Sequence, residues 1–164
     1  SVRTGTLTGT NMNIPIQWNV NGDSHTTFVD TRETLLDVLR YKLATMGPKE
    51  GCGNGNCGAC TVVLDGTVVN ACLVFAAEAD GAAITTVEGV EAEGNLHPVQ
   101  RAFIDESGLQ CGFCTPGFIM SAKALLERNP DPSEKEIRRS EEQTKNKERQ
   151  QAAKKSVQRV IHSQ

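Results

Sequence analysis

Apolar and polar positions alternate over residues 14 to 20, with Ile14, Ile16, Trp18 and Val20 in one register and Gln17 and Asn19 in the other. A period of two marks a half-buried strand. Asn21-Gly22 follows, a pair suited to a two-residue hairpin turn, and residues 24 to 29 resume the strand rhythm. The period then lengthens. Leu35, Leu36, Leu39 and Leu43 recur at helical spacing behind Asp30 and Glu33, which resemble a capping box, and Gly47-Pro48 is the expected stop. Residues 50 to 60 form a glycine-rich loop. Thr61–Leu64 is β-branched and apolar, Asp65-Gly66 turns the chain, residues 67 to 69 return, and residues 83 to 87 offer a last strand. The pattern predicts an α+β layout whose sheet is covered on one face.

The second half is helical in rhythm. Residues 98 to 103 fit a helix, and Thr115-Pro116 opens another with Phe118, Ile119, Ala122, Leu125 and Leu126 along one face. Asn129-Pro130 stops it, and Ser133 with Glu136 forms a capping box for a further helix. The chain is expected to divide near residues 89 to 94, into an α+β part and a small all-helical part. No internal repeat is visible.

Composition adds limits on partners. The 164 residues are 38% hydrophobic, enough for one ordinary domain or two small ones with buried cores. Residues 1 to 132 carry 8 basic and 15 acidic side chains, whereas residues 133 to 164 carry 9 basic and 5 acidic. An acidic body and a tail that mixes Lys and Arg with Glu leave no footprint for a phosphate backbone, so no nucleic-acid partner is expected. No stretch approaches the roughly 18 apolar residues of a membrane span, and residues 1 to 12 lack the order of a signal peptide. We expect no direct membrane insertion and a cytoplasmic location that keeps the six cysteines reduced.

Cys52, Cys57 and Cys60 stand as C-x4-C-x2-C, and Cys72 follows. This is the plant-type ferredoxin spacing for a 2Fe-2S cluster. Three thiolates on one tight loop wrap two irons, and a fourth from a separate segment closes the site. Gly51, Gly53, Gly55 and Gly58 let the backbone curl and bring N–H groups toward the sulfurs. The competing reading is a structural zinc site, but zinc thiolates usually come in two short C-x2-C-like pairs. Cys111 and Cys114 form a second C-x2-C pair ahead of Thr115-Pro116, at a helix N-terminus that favours thiolate charge. By itself that pair fits a redox dithiol, half of a metal site or two buried cysteines equally well.

Three segments together resemble the iron-sulfur small subunits of the molybdenum hydroxylases. They are E-G-C-G-N-G-N-C-G-A-C at 50 to 60, L-H-P-V-Q at 96 to 100 and L-Q-C-G-F-C-T-P-G at 109 to 117. That family includes xanthine dehydrogenase, aldehyde oxidoreductase and carbon monoxide dehydrogenase, and the resemblance covers residues 14 to about 138. It implies an N-terminal extension over residues 1 to 13, then a β-grasp plant-type ferredoxin domain over 14 to 88. A small all-α four-helix domain would follow over 89 to 164, with an atypical charged tail from 139. It implies a second, inner 2Fe-2S cluster on Cys111 and Cys114, and Gln110 against the molybdopterin of a large partner subunit. Electrons would run from molybdenum to the inner cluster, then to the outer one at Cys52, Cys57, Cys60 and Cys72, then to FAD on a medium subunit.

One feature departs from that pattern. Family members end in a C-x-C pair, in a stretch resembling G-N-L-C-R-C-T-G-Y, which ungapped counting places at Asn146 and Glu148. Here residues 139 to 151 contain neither cysteine nor any apolar side chain. Three readings account for this: a true C-terminal sequence other than the one written, which the abrupt loss of pattern favours; an inner cluster that is absent or held by other ligands; or a solvated charged helix or disordered tail.

His97 in its capped turn reads as structural, Lys49 and Glu50 as solvated neighbours of the cluster loop, and Phe113 as a shield for sulfur. No phosphate-binding loop or nucleophile with its base is present, so substrate chemistry is expected on a partner chain. The expected function is electron transfer within a multi-subunit molybdenum-dependent oxidoreductase. The alternatives are an independent single-cluster ferredoxin-like carrier and a zinc-stabilised interaction module.

Overall fold

The computed structural model describes residues 13–91, 93–141 and 147–162. Residues 1 to 12 of the expected N-terminal extension therefore lie outside the described residues, and so does Asn146. Strands β1 (Asn13–Val20) and β2 (Asp23–Asp30) form an antiparallel hairpin, with Asn21 and Gly22 both at positive φ, 56° and 95°. Such backbone angles match the right-handed twist of the strands they join. Helix α1 (Leu35–Tyr41), strands β3 (Thr61–Leu64) and β4 (Thr67–Asn70), and strand β5 (Ala83–Thr85) complete the first unit. The sheet order is β2-β1-β5-β3-β4, with β1 and β5 parallel and the other pairs antiparallel. Ile16, Trp18 and Val20 of β1 bury against Leu35, Leu36 and Leu39 of α1, which is why both patterns were visible in sequence.

Helix α1 corrects one expectation. Its cap is Thr34, whose hydroxyl accepts from the Asp37 N–H at 3.1 Å while the Asp37 carboxylate accepts from the Thr34 N–H at 3.0 Å. Asp30 and Glu33 do pair, through the Asp30 N–H and the Glu33 carboxylate at 2.8 Å, but that bond closes the turn before the helix. The helix also ends at Tyr41, well short of Gly47-Pro48, and Leu43 packs on the core from outside it.

A second core belongs to four helices, α2 (Pro98–Asp105), α3 (Thr115–Arg128), α4 (Glu134–Glu141) and α5 (Lys147–His162). Val99, Phe103, Phe118, Ile137, Val157 and Val160 meet there. The charged tail is thus part of the fold: α5 packs on α2, and its Lys154 reaches the Glu134 carboxylate of α4 at 2.6 Å. The mixed sheet followed by a helical unit is the expected α+β class.

The units touch where α3 lies against β3 and β4. Gly117 in the first turn of α3 faces Gly58 so closely that a Cβ would overlap the Gly58 carbonyl oxygen. A helical glycine replaced by alanine usually gains about 1 kcal/mol. Here the overlap is with backbone, so Gly117→Ala is expected to lose about 2 kcal/mol instead, measured as a shift in the urea midpoint at unchanged slope; a rise in stability would refute the contact.

Candidate metal centre

The loop over residues 50 to 60 is held at both of its ends before any cysteine is considered. Arg40 donates from Nη1 to the Pro48 carbonyl at 2.7 Å, Gly47 N–H donates to the Glu88 carboxylate at 2.5 Å, and Lys49 N–H donates to the Ala59 carbonyl at 2.9 Å. On the far side, the buried Thr61 hydroxyl donates to the Gly58 carbonyl at 2.6 Å. Within the loop, Gly55 has φ 79°, and a Cβ there would stand 2.6 Å from Leu73 Cδ1. At Gly51 a Cβ would stand 2.8 Å from Cys57 Sγ. Gly55 needs glycine for its positive φ, and at Gly51 a side chain would crowd the Cys57 sulfur.

All six cysteines lie among the described residues, and none forms a disulfide. Cys52 is exposed, Cys57 and Cys72 are half-buried, and Cys60 is buried. The Cys60 and Cys72 sulfurs approach to 3.3 Å, although one belongs to the loop and the other to the turn after β4. Cys52 and Cys57 share a hydrogen bond, and Cys57 in turn feels the charge of Cys72. The four thiols thus form one interacting set. Asn70 fastens the two segments: its Nδ2 donates to the Gly55 carbonyl at 3.2 Å, and its Oδ1 lies 3.9 Å from the Cys60 sulfur.

The electrostatics of this set are uneven. The Asn54 N–H pointing at Cys52 holds its pKa down at about 7, with further help from Cys57 and the Asn56 N–H. Burial pushes Cys57 up, and burial together with the charge of Cys72 and Cys57 pushes Cys60 up to about 12. Four adjacent thiols resist ionising together in a partly desolvated place. A bound metal centre removes that resistance, since it deprotonates the thiols that coordinate it.

Cys111 is exposed and Cys114 half-buried, on either side of Gly112, which has φ 75°. Cys114 occupies the cap position of α3 and packs on the second core. Gln110 is exposed beside them. Phe113, 43% exposed, lies 3.5 Å from the Cβ position of Gly51, so it flanks the first cysteine loop. His97 caps α2, its Nδ1 accepting from the Val99 N–H at 3.2 Å. Among the described residues, no three His, Cys, Asp or Glu side chains are grouped as a single metal ion would need.

Two family models match the chain, a 2Fe-2S iron-sulfur cluster binding domain over residues 18–87 and a 2Fe-2S binding domain over residues 86–157. The nicotinate dehydrogenase small FeS subunit of Eubacterium barkeri is 44% identical over 124 residues, 76% of this chain and 79% of that protein. The aldehyde oxidoreductase of Megalodesulfovibrio gigas is 54% identical over 120 residues, which are 73% of this chain and only 13% of that longer protein. The crystal structure of quinoline 2-oxidoreductase from Pseudomonas putida 86 superposes with a TM-score of 0.81 at 33% identity, over 92% of this chain and 97% of the matched one. The chain belongs to the iron-sulfur small-subunit family of the molybdenum hydroxylases.

For a member of this small-subunit family, the motif reading omitted Asn70 and Thr61. Asn70 stands two residues before Cys72 at a strand end, and nothing in its neighbours marks it as a clasp between two segments. Removing it leaves the Gly55 carbonyl without that donor, so Asn70→Ala is expected to destabilise the metal-free chain by about 1 kcal/mol, read from urea unfolding; no change would show the clasp to be idle. In the reduced, metal-free chain, alkylation of Cys52 should rise through a midpoint near pH 7, because thiolate is the reactive form and its pKa is about 7. Cys60 should stay unmodified until the chain unfolds. Peptide mapping that finds Cys60 modified as fast as Cys52 at pH 8 would contradict these environments.

Proposed function

We propose that this chain is the electron-transfer subunit of a molybdenum hydroxylase, with Cys52, Cys57, Cys60 and Cys72 holding a 2Fe-2S cluster. The observation that carries this reading is the 3.3 Å approach of the Cys60 and Cys72 sulfurs, which joins the loop to a separate segment. The relatives named as small iron-sulfur subunits support it. Bound there, the cluster supplies one-electron redox chemistry.

The chain's own residues prepare the site for that group. Asn54, Asn56 and Cys57 turn backbone N–H groups toward the Cys52 sulfur and favour its ionised form. Asn70 holds Gly55 and the Cys72 turn together. Leu73, itself exposed, lies beside Gly55 on that side of the loop. We assign residues 14 to 88 to the ferredoxin-like unit and residues 89 to 164 to the helical unit. Gln110, exposed next to Cys111, would face the molybdopterin of a large partner subunit. A medium FAD-binding subunit would take the electrons onward, and the complex would work in the cytoplasm. Substrate chemistry then belongs to the large partner.

The reading is tested by tagging the chain and isolating it with whatever binds it. The expected product contains a large molybdenum-bearing chain and absorbs visible light with an electron paramagnetic signal on reduction. Cys72→Ser should remove both spectroscopic features and lower turnover with external acceptors beyond the ~10–100-fold typical of losing a supporting residue. A colourless chain binding one zinc would refute it.

A further inference from the structure

We propose that Asn70 and Thr61 are positioning residues that help set the potential of the cluster: each grips the carbonyl of a loop peptide whose own N–H is turned to a cysteine sulfur. The proposal rests on the 2Fe-2S reading of Cys52, Cys57, Cys60 and Cys72 and names side chains outside that ligand set which tune it.

Asn70 is the last residue of β4 and stands at the head of the short 3₁₀ helix Ala71–Leu73, which carries Cys72. Asparagine in that place ordinarily caps the turn by accepting from a backbone N–H. Here its side chain makes no cap bond. Its Nδ2 donates instead to the Gly55 carbonyl of the cysteine loop at 3.2 Å. That carbonyl and the Asn56 N–H belong to one peptide unit. Because the unit is planar and trans, its C=O and N–H point in opposite directions, so a fixed carbonyl fixes the N–H. The Asn56 N–H is directed at the Cys52 sulfur. It also lies 3.3 Å from Asn54 Oδ1, and a small rotation of the peptide would transfer it from the sulfur to that oxygen. The grip of Asn70 resists the rotation.

Thr61 repeats the arrangement three residues further along the loop. Its buried hydroxyl donates to the Gly58 carbonyl at 2.6 Å, and the Ala59 N–H of the same peptide is directed at the Cys57 sulfur. Thr61 and Asn70 face each other across the β3–β4 ladder. One rung of the sheet therefore aims two N–H groups at two sulfurs.

The sign of the effect follows from charge. Reduction adds an electron to the cluster, and N–H dipoles aimed at its sulfurs stabilise the added negative charge and raise the potential. A donor on the carbonyl also polarises the peptide and strengthens its N–H. Loosening either grip lowers the potential. The Asn70 amide oxygen, 3.9 Å from Cys60 Sγ, acts in the opposite sense through a contact too long to outweigh the aimed N–H.

The test is a redox titration of the full chain in its purified complex, following the paramagnetic signal that Cys72→Ser removes. Asn70→Ala is expected to make one-electron reduction about tenfold less favourable, a fall in midpoint of roughly 59 mV. Thr61→Val should move the midpoint the same way by less, since the Thr61 N–H still donates to the Gly58 carbonyl at 3.1 Å. Ser133→Ala strips the hydroxyl from the cap of α4 in the helical unit and should leave the midpoint in place. An unchanged or raised midpoint in Asn70→Ala, or an equal fall in Ser133→Ala, would overturn the proposal and leave the cluster reading standing. If Asn70→Ala takes up no iron, the Thr61→Val midpoint decides, and no fall there overturns the proposal. Absence of any signal sensitive to Cys72→Ser would refute the cluster reading and this proposal with it.

Discussion

Four thiols placed side by side in a half-buried site repel one another once ionised, and the surroundings of residues 52 to 72 are organised about that constraint. The backbone contributes N–H groups at the exposed end, where Cys52 is already easy to ionise, and withholds water at the buried end, where Cys60 is not. The gradient runs from surface to core across one loop. A site of this kind is most stable with positive charge inside it, so the same features that disfavour the bare thiolates favour a metal centre.

Keeping that loop in place falls to parts of the chain that carry no chemistry. Arg40 from α1, Glu88 from the turn after β5, and Thr61 at the start of β3 each hold one point of the loop or its approach. The helical unit braces it from outside: Gly117 sits on Gly58, and Phe113 sits beside Gly51. Both contacts use a glycine in the loop, so the absence of side chains serves close packing as well as backbone curvature. The two cysteine motifs are consequently neighbours in space although about fifty residues separate them in the chain.

The helical unit shows how much of a fold apolar packing specifies. Its core needs apolar residues at helical spacing, and these persist to Val160. A cluster needs four soft ligands at one point, which is a much stricter demand on a few positions. The family fold survives over nearly the whole chain, with α5 fastened by Arg159 and Lys154 to helices that precede it.

Local rules were enough for the hairpin at Asn21-Gly22, the turn at Asp65-Gly66 and the long helix after Thr115, because each depends on residues close in the chain. The cap at Thr34 was missed because two overlapping patterns, Asp30 with Glu33 and Thr34 with Asp37, satisfy the same rule, and packing against the sheet decided between them. The burial of α5 was missed for a related reason: a mostly charged segment with a few apolar residues looks solvated until α2 offers a face to receive them. Sequence by itself determined which residue types stand in the loop at 50 to 60 and at Cys72. Only the tertiary structure decided which of them meet, since the approach of Cys60 to Cys72, the clasp at Asn70 and the contact of Gly117 with Gly58 all join segments that no local pattern relates.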